Sequence, residues 1–227
     1  MGSKYHAVYE GWKNNPQQFW SEAGAAIDWF KPADKVFDPD QGAYGRWYVG
    51  ATTNTCHNCL DRHVDGGRAE QAALIYDSPI TGKKKSYSYA ELLDEVKAMA
   101  AVLADNGLQK GDRAIIYMPM VPEAVMAMLA CARLGAVHSV VFGGFAGNEL
   151  ATRVDDARPK LIIAASCGIE PNRIVPYMPM LDEAIAVASH KPDKCLILQR
   201  EQQVAELTAG RDVDLGEAMA ATRAEGR

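Results

Sequence analysis

Residues 111–165 alternate three short apolar runs with two segments of helical spacing, and this order constrains the fold more than any other feature of the chain. The runs are residues 114–118, Val137–Phe142 and Leu161–Ala165, rich in Ile, Val and Ala and bounded by Gly, Pro or charged residues. Between them lie Pro122–Leu134 and Gly147–Ala157. Strand, helix, strand, helix, strand predicts an α/β fold, a parallel sheet with flanking helices. Continuous apolar pairs such as Val140-Val141 and Ile162-Ile163 read as strands buried on both faces. Ligands of such sheets sit beyond the carboxyl ends of the strands. Phe142-Gly143-Gly144-Phe145 stands at one of those ends, so function is sought there first.

A chain of 227 residues has room for one large domain or two small ones. Its formal charge of −5 argues against general nucleic-acid or membrane binding. No apolar run is long enough to span a bilayer. The opening MGSKYHAVYEGWKNN has no apolar signal core, and His6 stands where a myristoylation signal prefers Ser or Thr. The five cysteines, an odd number, fit a reducing compartment, with Cys131 and Cys195 in apolar surroundings. The expected location is the cytoplasm, or the mitochondrial matrix in a eukaryote.

Residues 5–30 read as broken helix, restarted at Asn15-Pro16 by an N-cap and a first-turn proline. Residues 31–54, rich in Gly, Asp and Pro, read as an irregular wrap anchored by Phe37, Tyr44, Trp47 and Tyr48. So much aromatic area is expected to lie on a larger body. Residues 58–64 read as a short helix leading into the main domain. The composition changes from this aromatic arm to an Ala- and Val-rich body near residue 65, giving an arm over 1–65 and a domain over 66–227. Within the body, residues 72–76 and 86–89 read as strands around a turn. Ser88-Tyr89-Ala90-Glu91 is a capping box opening a helix that ends near Gly107. A polar loop is expected over residues 166–173, a helix over 182–188, a strand over 194–199 and a weak acidic helix over 211–227.

Few motifs carry chemistry by themselves. The paired glycines of Phe142-Gly143-Gly144-Phe145 permit a tight turn and close approach of a ligand, and the two rings serve either stacking on a base or core packing. Gly143, Gly144 and Gly147 lack the spacing of a dinucleotide fingerprint, which disfavours a nicotinamide or flavin enzyme. Arg173 reads as a phosphate ligand or as a plain surface arginine. Lys83-Lys84-Lys85 reads more simply as a solvated hairpin tip than as a phosphate site. Cys56-His57-Asn58-Cys59 has CxxC spacing but no second pair, and His63 and His138 sit in no metal-ligand motif. There is no GxxxxGK[ST], no Ser/Thr-rich glycine loop, no HExxH and no GxSxG.

Taken together, several segments resemble the start of the short-chain acyl-CoA synthetases, the AMP-forming acetate and propionate type of adenylate-forming enzyme. They are Leu60-Asp61-Arg62-His63-Val64, the SYAEL at 88–92, Gly111-Asp112-Arg113 with Tyr117-Met118-Pro119-Met120, and the AMLACARLGA at 127–136. The most specific is HSVVFGGF at 138–145, followed by Leu150 and the RVDDA at 153–157. Residues 5–62 are similar to the N-terminal region of the same branch. Ala165-Ser166-Cys167-Gly168-Ile169-Glu170 with Tyr177 resembles the propionate-CoA ligases, whereas acetate-activating relatives carry a basic residue at the position of Glu170.

The resemblance implies an acid–thiol ligase that forms an acyl-adenylate from ATP and a carboxylate with magnesium, then passes the acyl group to coenzyme A. It implies that Phe142 lies against the CoA adenine, that Gly143 belongs to the CoA-binding set, and that Glu170, Pro171, Asn172 and Arg173 form the loop at the CoA nucleotide, with Arg173 in the place of a phosphate-binding arginine. It places the phosphate loop, the acyl pocket and the catalytic lysine beyond Arg227. From it follow the expectations of an incomplete AMP-binding domain with no catalytic or metal-ligating residue of its own, no tightly bound cofactor, and no activity alone. The partners expected are propionate or acetate, CoA, ATP and the remainder of the enzyme. The alternatives are an acetyl-CoA synthetase fragment and a non-catalytic binding or assembly module.

Overall fold

The computed structural model describes residues 3–226, and its internal contacts divide the chain into two units meeting at Arg62 and His63. In the first, helices α1 (Tyr5–Asn14) and α2 (Pro16–Gly24) are separated by Asn15, whose side-chain oxygen accepts from the Gln18 amide at 3.2 Å. With Pro16 in the first turn, this is the expected restart. The helix stops at Gly24, however, so Ile27 and Phe30 fall outside it. The expected irregular wrap contains a short antiparallel hairpin, β1 (Lys35–Asp38) and β2 (Arg46–Val49), with Phe37 opposite Trp47. Their rings meet at a tilt with centroids 4.5 Å apart, an aromatic cross-strand pair that stabilises strands too brief to show alternation. The Tyr48 hydroxyl donates to the Trp20 carbonyl at 2.5 Å, tying hairpin to helix.

The second unit opens with a π-helical turn at Val64–Arg68 and the antiparallel pair β3 (Ala72–Ser78) and β4 (Lys83–Ser88). The lysines lie on β4 rather than at the tip, and each has a partner. Lys83 pairs with Glu201 at 2.7 Å, Lys84 with Asp77 at 2.8 Å, and Lys85 sits 4.2 Å above the Tyr87 ring. Helix α3 (Tyr89–Asp105) begins at the predicted capping box: Ser88 Oγ accepts from the Glu91 amide and Glu91 Oε2 accepts from the Ser88 amide. It ends before Gly107, whose φ of +91° is the left-handed value a helix stop asks of glycine.

The predicted alternation follows within one residue: β5 (Arg113–Met118), α4 (Pro122–Leu134), β6 (Val137–Phe142), α5 (Gly147–Ala157) and β7 (Leu161–Ala165). Next come the hairpin β8 (Cys167–Glu170) and β9 (Arg173–Pro176), then α6 (Met178–Val187), β10 (Lys194–Leu198), β11 (Asp212–Asp214) and α7 (Leu215–Ala224). The main sheet is parallel, with the order β11-β10-β7-β5-β6. Every residue of β7, and every residue of β5 after Arg113, is buried.

Four expectations are corrected. Among the described residues β6 pairs with β5 alone, at the edge of the sheet, and its two faces are not both covered: Val141 is buried, but Val140 is 54% and Phe142 71% exposed. The polar loop at 166–173 is the β8–β9 hairpin, whose first residues, Cys167 and Gly168, are buried. Helix α6 starts at Met178, four residues before the expected 182. A short strand, β11, precedes the last helix; Arg211 joins its Asp212 to Asp182 of α6, each at 2.6 Å. No helix among the described residues is long and apolar enough to cross a membrane.

Candidate functional site

The carboxyl ends of β5 and β6 open onto a cleft of about 500 Å³, closed on its other sides by β8, the β3–β4 turn and Arg200. Its floor is Tyr177, which is almost fully buried. The Tyr177 hydroxyl is wedged between two glycines. A Cβ on Gly168 would lie 2.6 Å from it, and a Cβ on Gly143 would collide with the same oxygen and come within 2.9 Å of the Met118 carbonyl. These glycines are required by close approach rather than by backbone angle. Through them Tyr177 ties the end of β6 to the start of the β8–β9 hairpin. Its amide also donates to the Ser166 carbonyl at 3.0 Å.

The Tyr177 ring packs at a tilt against Tyr117 of β5, centroids 5.0 Å apart, and the Tyr117 hydroxyl donates to the Phe145 carbonyl at 2.9 Å. Burial raises both phenols, Tyr177 to about 12, so both stay neutral at ordinary pH. Above this floor Phe142 presents an open ring, with Phe145 edge-on at 5.8 Å and the Arg153 guanidinium 4.7 Å above Phe145.

Of the residues expected at the site, Phe142, Gly143 and Glu170 line the cleft. Pro171, Asn172 and Arg173 occupy the exposed tip of the β8–β9 hairpin outside it. Arg173 was expected to offer its guanidinium to phosphate, yet Glu170 already holds it in a fork: Nε donates to Oε2 at 2.8 Å and Nη2 to Oε1 at 3.3 Å. The cleft contains one cation the sequence reading missed. Arg200 follows β10 by two residues; its Nη1 donates to the Cys167 carbonyl at 3.1 Å and its amide to Ser166 Oγ at 2.9 Å. Its place just past a strand's carboxyl end was the available signal.

The thiols add no chemistry here. Burial pushes Cys131 and Cys195 up to about 12. Cys56 is buried and Cys59 is exposed. Among the described residues no group of three or more His, Cys, Asp or Glu side chains converges as a metal site. Burial lowers the pKa of His138, favouring the neutral ring.

A parallel sheet of this order, with helices between its strands and a cleft beyond its carboxyl ends, defines an α/β protein of the open-sheet class. The family model described as AMP-binding enzyme matches residues 60–222, and the model described as acetyl-coenzyme A synthetase N-terminus matches residues 5–59. The chain belongs to the AMP-binding enzyme family. It is 44% identical over 220 residues to the human protein named acyl-CoA synthetase short-chain family member 3, mitochondrial, covering 96% of this chain and 32% of that one. It is 44% identical over 210 residues to the propionate–CoA ligase of Salmonella typhimurium and 43% identical over 210 residues to that of Escherichia coli, each alignment covering 92% of this chain and 33% of the relative. The chain thus spans about a third of the length of these curated relatives.

Proposed function

We propose that this chain supplies the coenzyme A side of an AMP-forming short-chain acyl-CoA ligase, acting on propionate ahead of acetate. The observation that carries the proposal is the shared cleft. Phe142 and Gly143 from the end of β6 and Glu170 from β8 line one opening, with Tyr177 between them. In this reading the adenine of CoA lies on the Phe142 ring and the hairpin tip faces its phosphates. The preference for propionate rests on the 165–170 segment and on the relatives that carry that name.

The overall reaction joins a carboxylate to CoA at the expense of ATP, through an acyl-adenylate. This chain's residues bind and orient the thiol substrate. The 227 residues hold no Ser/Thr-rich phosphate loop, so adenylation, which depends on positioning and charge stabilisation, is assigned to groups outside them. No described acidic cluster fits magnesium as a resident ion. We assign it no step.

Calorimetry tests the reading. The chain should bind CoA, and Phe142→Ala should weaken that binding about tenfold, the scale of one base–aromatic stack. The same chain should show no propionate-dependent exchange of pyrophosphate into ATP. Absence of CoA binding, or exchange at a measurable rate, would overturn it. The exposed margin of β6, with Val137 and Val140 open, supports a second reading as a non-catalytic assembly module. A concentration-dependent oligomer that does not bind CoA would favour it.

A further inference from the structure

At the hairpin tip Glu170 and Arg173 form an exposed ion pair, with Arg173 Nε 2.8 Å from Glu170 Oε2. These residues stand opposite each other as the last and first residues of β8 and β9, joined by Pro171-Asn172. Pro171 fixes its own φ, and neither loop residue has a positive φ. A two-residue loop of restricted conformation therefore holds the two side chains together. Arg173 meets the carboxylate in the bidentate fork that arginine also offers to a phosphate. The carboxylate occupies the seat that a ligand phosphate would take.

We propose that Glu170 is an internal competitor for the phosphate-bearing ligand of this tip, and that it sets how strongly the protein distinguishes a phosphorylated nucleotide from its dephosphorylated form. The proposal rests on the CoA reading given above for the identity of that ligand. A phosphate reaching Arg173 must displace the carboxylate, and the displaced charge stays on the neighbouring strand, where it repels the phosphate. Because the competitor is tethered three residues away, its effective concentration is high and does not fall on dilution. Both side chains are solvated, with Arg173 70% and Glu170 51% exposed, so the barrier to exchange is modest and the effect is graded rather than all-or-none. Glu170 titrates below the usual carboxylate range, chiefly through its hydrogen bond from Arg173, so the competitor is charged at neutral pH. Removing its charge while keeping its shape should free the guanidinium for the ligand.

The test uses CoA and dephospho-CoA, which differ by the 3′-phosphate, on the 227-residue chain and its Glu170→Gln variant. In the wild type the two ligands should bind within about threefold of each other, as expected when a charge pair must be exchanged at an exposed site. In Glu170→Gln, CoA should bind about three- to tenfold tighter, the range expected for one solvated charge–charge contact, and dephospho-CoA, which keeps the 5′-diphosphate but lacks the 3′-phosphate, should gain less. Adding Arg173→Gln to that variant should abolish the gain. A second arm titrates inorganic pyrophosphate while following the Arg173 Nε resonance by nitrogen-15 NMR. The signal should respond at lower concentration in Glu170→Gln than in the wild type. Equal ligand ratios in both proteins, or equal Nε responses, would overturn the proposal. If neither protein binds CoA but the Nε response differs as expected, the CoA reading falls and the competition stands.

Discussion

The hydroxyl of Tyr117 donates to the carbonyl of Phe145 across 2.9 Å, linking β5 to the turn that follows the open Phe142 ring. A buried side chain in β5 thereby fixes a loop 28 residues later, and the Tyr177 ring lies against it. Tyr117→Phe keeps the ring packing and deletes only the donor. It should cost about 1 kcal/mol, read as a lower urea midpoint with an unchanged slope.

Gly168→Ala places a methyl group against the Tyr177 hydroxyl and ring, with contacts of 2.6 and 2.8 Å. Neither element can retreat easily, so the expected loss is about 1–3 kcal/mol. Adding Tyr177→Phe removes the nearest atom and should recover part of it. The double variant should therefore be more stable than the sum of the singles, measured by chemical denaturation.

Phe142→Ala separates binding from folding. The ring is 71% exposed, so stability should change by less than about 0.5 kcal/mol. CoA affinity should fall as given above, and equal losses in both would assign the ring to the fold instead.

Ser88→Ala breaks the capping box at the start of α3. A loss of about 1 kcal/mol is expected, seen as a lower melting temperature with CoA affinity retained.

Alkaline pH should unfold the protein. Cys131 and Cys195 are raised from 9.0 to about 12, and Tyr177 from 10.0 to about 12. A raised pKa means that the folded state holds its proton longer, so the stabilisation is complete below the unfolded value and is lost as pH climbs through the folded one. Melting temperature should therefore fall between about pH 9 and 12. Cys195→Ala should make the decline shallower at its lower end.

The sequence revealed the alternating centre because its punctuation is local. Pro122 opens α4, Ser88 caps α3, and the runs at 137–142 and 161–165 are bounded by turn residues or charge. What stayed hidden depends on partners distant in the chain. Val140 reads as core by composition but is 54% exposed on a strand at the edge of the described sheet, and neither strand order nor the covering of a face is written in any single run. Strand β11, Asp-Val-Asp, is formed by pairing with β10 and by Arg211, against its own polarity. The cleft was half legible: Phe142, Gly143 and Glu170 follow from strand ends and from family resemblance. Arg200 and the Tyr177 wedge required coordinates, because close approach to glycine has no signature in a lone sequence.

The strand order β11-β10-β7-β5-β6 has a consequence for synthesis. As the polypeptide leaves the ribosome, β6 finds β5 already made, β7 docks on the far side of β5, and β10 and β11 then add outward one after another. Among the described strands each newcomer meets a neighbour that emerged before it, so this part of the sheet can grow in step with translation.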